Sequence, residues 1–354
     1  MENHQILSKP KLGFSASFKE ALKILFNHPK FISLIIFFSF PLLASLLAHQ
    51  ILLHPTFIRL LKLLYHHDPF HPTSIVRLIK INCKSPNVYC ALQPLDDNPS
   101  PPIKTFKETL SQRFLISTLL LTSIIFFLDL LNTIATVSIS AAIYGGNSQM
   151  GFKEMLVQIR KMVALKLKGA IETSLCFILL ASLTLLGLVA LSKDFFYITK
   201  DHPFMMSDII FVSKFTIFTL FFGSLFVVLL GKYIEWSAVW NMGIVISILD
   251  KNKGYIAIGV ASYLSRGSRR LGFSLMMVFL VLKVAFGLPC LYALWNEGNC
   301  GVLGNVVFVI LNCVGNVVMW VVLMVYFYDC KREFLEKKVD LENTEKKAFE
   351  AVQQ

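Results

Sequence analysis

Charge is what this chain has least of. Asp, Glu, Lys and Arg make up 16% of its 354 residues, against roughly 25% in a typical water-soluble domain. With 55% of the residues apolar and a mean hydropathy of +0.64, the chain has too little polar surface for water. The signatures of catalysis and cofactor binding are missing as well. There is no GxxxxGK[ST], no G-x-S-x-G, no HExxH and no CxxC…CxxC, so the sequence offers no phosphate loop, nucleophile elbow, zincin helix or paired-cysteine zinc site. No catalytic residue, cofactor or metal is therefore expected. The one N-x-S/T triplet, Asn98-Pro99-Ser100, is blocked by its proline, so no N-glycan is expected. No cleavable leader is evident: the first apolar run begins only at Phe31 and reads as an uncleaved signal anchor.

What the chain does have is long apolar runs. A bilayer core about 30 Å thick takes about 20 helical residues to cross. Six segments reach that length: 31–53, 114–143, 169–191, 209–230, 271–292 and 302–328. Hydrocarbon offers no partner for a backbone N–H or C=O, so each must be a helix. Pro41 and Pro289 predict kinks within the first and fifth spans. The expected fold is an all-α integral membrane protein, a six-transmembrane-helix bundle with amphipathic interfacial helices. Its regions are a tail at 1–30, the bundle at 31–328 and a charged tail at 329–354.

The net charge of +12 does not point to nucleic acid, because the basic residues are scattered in short segments between the spans. Of the 34 Lys and Arg, 22 fall on the side holding both termini and ten on the other, with Lys214 and Lys283 inside spans. The positive-inside rule then places both termini in the cytosol. Basic residues so placed attract anionic lipid headgroups.

Three stretches read as interfacial helices, at 14–27, 152–168 and 234–264. Ser17-Phe-Lys-Glu20 reads as a capping box, with Phe14, Phe18, Leu22 and Leu25 on one face and Lys19, Glu20 and Lys23 on the other. The stretch 234–249 is apolar but only sixteen residues long. It fits an interfacial or re-entrant helix better than a seventh crossing, with an extension of the fourth span left open. The tail from Asp329 is read as a frayed helix or disordered.

Charges inside hydrocarbon are costly and often functional. Asp129 and Lys283 lie near the middle of the second and fifth spans and are a candidate ion pair, with Asn132 one turn from Asp129. The pair would serve either a polar pathway for an ion or small solute, or the register of the helices. Glu172 and Lys214 lie nearer the span ends, where they can snorkel. In the last span, Asn305, Asn312, Asn316 and the nearby glycines form a helix-packing face. Ser265, Arg266, Ser268, Arg269 and Arg270 precede the fifth span and are candidate contacts for a lipid headgroup phosphate. Cys83 and Cys90 lie in a loop assigned to the oxidising side and are a candidate disulfide, with Cys300 as a competing partner. The run His66-His67-Asp68-Pro-Phe-His71, with His54, matches no zinc spacing and is read as a solvated loop.

Two stretches resemble a known group. LGFSASFKEALKILFNHPKFI, and EWSAVWNMGIVISILDKNKGYIAIGVASYLSRGSRRLGFSLMM with its Asp250, Gly254, Ala-x-x-x-Ser helix and basic exit, are similar to a large family of plant multi-pass transmembrane proteins. A more distant similarity is to the membrane domain of bacterial glycerophosphodiester phosphodiesterases. The resemblance implies a six-span layout and no settled activity. The resulting expectation is a non-catalytic multi-pass membrane protein of the endomembrane system or plasma membrane, acting through lipid or protein contacts. The alternative is a transporter or channel using Asp129 and Lys283.

Overall fold

The computed structural model describes residues 12–66, 112–146, 150–200, 209–295 and 300–352. Among them the regular structure is helical throughout: α1 (Phe14–Asn27), α2 (Pro29–His66), α3 (Gln112–Tyr144), α4 (Phe152–Lys200), α5 (Ile209–Leu249), α6 (Gly254–Leu264), a 3-10 turn (Ser265–Gly267), α7 (Arg269–Trp295) and α8 (Cys300–Val352). Six of these, α2, α3, α4, α5, α7 and α8, contain stretches long and apolar enough to cross a membrane. The chain is therefore the all-α multi-pass membrane bundle its hydropathy predicts. α2 and α7 run on through Pro41 and Pro289 as single helices.

The helices overrun the bilayer. α4 has 49 residues, about 74 Å at 1.5 Å per residue, or more than twice a hydrocarbon core of about 30 Å. The bundle is densest at one end. Residues 132–141 of α3, 238–248 of α5 and 319–330 of α8 are buried on every side, and these three segments pack on one another. Around them lie α1, the start of α2, the first half of α4, α6 and the start of α7. Away from this packed end the same helices separate and show their apolar side chains outward. Leu179, Leu186, Leu220 and Val227 are all exposed, as residues that face lipid are. Leu12 N–H donates to the Asp329 carboxylate at 3.1 Å, so the N-terminal helix and the root of the C-terminal tail share the packed end.

The corner between α5 and α6 is built by its sequence. Gly254 has φ +56°, a left-handed conformation that glycine adopts without strain. Its N–H donates to Thr173 Oγ1 on α4 at 2.9 Å. Lys166, also on α4, donates to the Asp250 carbonyl that ends α5. α6 then folds back onto α5 with Gly243 beneath it. A Cβ built on Gly243 would stand 3.0 Å from Ile258 Cγ1 and 3.2 Å from Ile258 Cα.

Of the alternatives left open for 234–249, the structure shows an extension of α5: the stretch continues that helix without a break and forms part of the buried centre. The 152–168 helix runs directly into the third span as the first part of α4. Two expectations change. In α1 the helix opens at Phe14 after Gly13, and Ser17 is internal, its hydroxyl donating to the Gly13 carbonyl at 3.1 Å. The buried face of α1 is Ser17, Ala21, Ile24 and Leu25, while Phe14 and Leu22 of the expected apolar face are exposed. Finally, α8 runs unbroken into the charged tail, and Asp329, Cys330 and Arg332 are buried.

Gly243→Val should lower stability by about 1–3 kcal/mol, the usual effect of forcing a side chain into a close backbone approach. Gly259→Ala, on the open side of α6 where nothing lies within 4 Å of the added carbon, should not. Thermal unfolding of the two variants in detergent micelles makes the comparison.

Candidate functional site

Two groups of polar side chains stand out against the apolar bundle. The first lies within the spans. Asn316 of α8 donates through Nδ2 to Asp129 Oδ1 of α3 at 2.8 Å. One turn along α3, Asn132 is buried and accepts from the Ser39 hydroxyl of α2 at 3.1 Å. Thr133 donates to the Asp129 carbonyl at 2.8 Å. One turn further, the buried Thr136 hydroxyl has no hydrogen-bond partner among the described residues. The cluster thus stitches α2, α3 and α8 together in a setting where apolar contact alone gives little drive to associate.

The pair expected between Asp129 and Lys283 is not formed as a direct contact. The carboxylate is met by Asn316, while Lys283 is exposed on α7 and reaches Asp129 only through space. Lys283 instead lines a narrow cleft of about 50 Å³ with Asn312 and Gly315 of α8. Asn132 serves Ser39 and not Asp129. The asparagines of the last span matter because one of them supplies the partner that Lys283 was expected to be. Glu172 is exposed on α4. The side chain of Lys214 lies outside the described residues.

The second group is at the packed end. The five candidate headgroup contacts divide. Ser265 and Ser268 are buried; Ser265 donates to the Ser262 carbonyl at 3.3 Å, and Ser268 donates to Glu333 Oε2 at 2.9 Å. The hydroxyl of Tyr326 donates to the Ser268 carbonyl at 3.1 Å. Both serines therefore fix the turn against α8 and are turned away from any headgroup. Arg266, Arg269 and Arg270 are exposed. Arg266 lies over the Tyr263 ring, 5.4 Å from its centroid, and Arg269 comes within 3.6 Å of Glu235.

Reading by span missed the charges just beyond the last one. Arg332 Nη2 lies 2.9 Å from Asp329 Oδ1, both side chains being almost wholly buried, and Arg332 Nε lies 3.2 Å from the half-exposed Glu336. The same Asp329 oxygen accepts the Leu12 N–H, and the rings of Tyr144 and Tyr328 lie 5.3 Å apart beside it. The signal was present as Asp, Arg and Glu at i, i+3 and i+7, the spacing of one helix face. The candidate disulfide of Cys83 and Cys90 and the histidines at 67 and 71 lie outside the described residues. Cys176, Cys313 and Cys330 are free thiols.

Family models, curated proteins and solved structures were all compared with this chain, and none matches it.

Breaking a buried ion pair by removing one partner leaves the other charge uncompensated and costs about 3–5 kcal/mol. Asp329→Ala should therefore destabilise the bundle strongly, and Glu336→Ala by less than about 1 kcal/mol because that pair is half exposed. Denaturation of both variants in mixed micelles separates the two effects.

Proposed function

We propose that the chain is a non-catalytic multi-pass membrane protein whose packed end faces the cytosol and binds anionic lipid headgroups. One observation carries the reading. α6 buries Gly254, Ala257 and Ala261 and leaves Tyr255, Ile256 and Tyr263 exposed, and three exposed arginines follow it directly. Exposed tyrosines with flanking cations are the composition of a membrane–water interface. Each basic residue near an anionic surface adds about 1 kcal/mol of attraction. The excess of Lys and Arg on the side of both termini supports a cytosolic placement of the same end. The resemblance of the Asp250–Gly254 stretch to the plant multi-pass family is what favours the endomembrane system or plasma membrane as the location. The exposed Lys337, Lys338 and Glu342 of α8 leave room for a protein partner at the same end.

A second reading, transport of an ion or small solute, has the two polar pairs Asp129–Asn316 and Asn132–Ser39 within the spans in its favour. Hydrogen-bonded side chains that join three helices inside hydrocarbon are a route for a polar solute as well as a structural tie.

The two readings predict different losses. Changing Arg266, Arg269 and Arg270 together to Ala should cut the phosphatidylserine retained by the purified protein, measured by native mass spectrometry, and leave phosphatidylcholine unchanged. Unchanged phosphatidylserine would count against the headgroup reading. Solute flux into proteoliposomes that stops in Asp129→Asn would favour transport instead.

A further inference from the structure

Lys283 carries a charge that the bundle itself leaves unmatched. α7 runs from Arg269 to Trp295, so this residue lies about 21 Å of helix from one end and about 18 Å from the other at 1.5 Å per residue. From that depth its stem is too short to carry the ammonium to either surface of the bilayer. A cation inside hydrocarbon is costly and pairs with an opposite charge or a polar group where one is in reach. Yet Lys283 makes no ion pair or hydrogen bond among the described residues. Asp129, whose carboxylate Asn316 holds, acts on it only through space. The cleft that Lys283 lines opens between facing sides of α7 and α8. Phe279, Leu282, Lys283 and Phe286 follow at the spacing of a single helix face, and Asn312 and Gly315 stand opposite on α8. The two sides do not close on each other: Leu282 and Phe286 stay 41% and 40% exposed, and a Cβ built on Gly315 would meet nothing within 4 Å. Asn312 precedes Asn316 by one turn, and its amide also makes no hydrogen bond among the described residues. An ammonium and an amide thus border one opening without an acceptor, while one turn along α8 the same residue type holds a carboxylate.

Size and depth choose the acceptor. At about 50 Å³ the cleft is well below the roughly 150 Å³ that takes a benzene, so a carboxyl group enters and a lipid chain does not. Water there would solvate the ammonium without offsetting its charge. A lipid headgroup stays at the bilayer surface. A second copy of this chain brings no match among its described residues. Its Asp129 is met by its own Asn316, and its exposed Glu172 adjoins Thr173 at the packed end. We propose that the cleft between α7 and α8 docks a transmembrane helix of another membrane protein, one with an Asp or Glu near mid-bilayer whose carboxylate meets Lys283 and Asn312. Hydrogen-bonding side chains of this kind join helices in lipid, where apolar contact gives little drive to associate. The docking surface goes beyond the headgroup reading and shares no residue with it.

The test reconstitutes the full chain in phosphatidylcholine liposomes with a synthetic leucine–alanine helix of about 20 residues, bearing one central Asp and a photoactivatable group beside it. Cross-links should concentrate on residues 282–286 and 311–315. They should drop about tenfold when Leu replaces the central Asp, the scale of one interhelical polar contact. Lys283→Met, which keeps the side-chain length at an exposed position, should lower them as much. Lys283→Glu should capture a helix with a central Lys and lose the Asp helix. The variant with Arg266, Arg269 and Arg270 changed to Ala should capture the Asp helix undiminished, so this result and the headgroup result are independent. An Asp helix captured no better than its Leu counterpart, or captured equally by Lys283→Met, would overturn the proposal. So would capture seen only in Asp129→Asn, since Lys283 would then be matched within the chain. Anion flux into proteoliposomes that requires Lys283, without helix capture, would give the cleft to transport and overturn it too.

Discussion

Inside hydrocarbon, an apolar side chain gains nothing by leaving lipid for another helix, so a membrane bundle cannot be held together by the force that packs a water-soluble core. This chain meets that constraint by lengthening its helices. α4, α5 and α8 are longer than one bilayer crossing needs, and they pack with the end of α3 into one dense apolar centre. There the central segments of α3, α5 and α8 are covered on all sides by the shorter α1 and α6 and by the first turns of α2, α4 and α7. The membrane half can then remain loosely packed, with most of its side chains turned to lipid. Its ties are few and polar: Asn316 to Asp129, and Ser39 to Asn132.

The same division places the charges. At the packed end, Asp329 and Arg332 are buried as a pair, and Asp329 also holds the backbone of Leu12, so the start and the last part of the chain meet on one carboxylate. Ser265 and Ser268 are drawn inward to close the turn between α6 and α7 against α8. Their arginine neighbours are left at the surface, and that is where the headgroup reading rests. The fold thus separates residues that adjoin in sequence into those that hold the turn and those that stay exposed at the surface.

Much of this architecture could be read before any coordinates. Six apolar runs were expected and six long apolar helices contain them, because a run of that length has no other stable form in lipid; α4, α5 and α8 extend well beyond theirs. The remainder was hidden for physical reasons. The stretch 234–249 was too short to cross a membrane and was judged alone, whereas its all-round apolarity marks the centre of a bundle. Ser17 looked like a cap because Glu20 lies three residues on, but the extended Gly13 had already begun the helix. Asp329 and Arg332 looked like the start of a soluble tail, since a charge usually ends a span; here the helix continues into a protein interior that pairs them. The partner of Asp129 could not be found by matching charges, because it is a neutral amide on another helix, Asn316.

The first half of α4 belongs to the packed end, while its second half turns apolar side chains outward; at 49 residues it is too long to lie wholly within a bilayer. Single spin labels placed in nanodiscs at the exposed positions Val157, Leu165, Leu179 and Leu186 test this most directly through their relative accessibility to oxygen and to a water-soluble nickel complex. Leu179 and Leu186 should report hydrocarbon, Val157 water, and Leu165 an accessibility between the two. Oxygen-dominated accessibility at Val157 equal to that at Leu186 would instead place the packed end within the membrane.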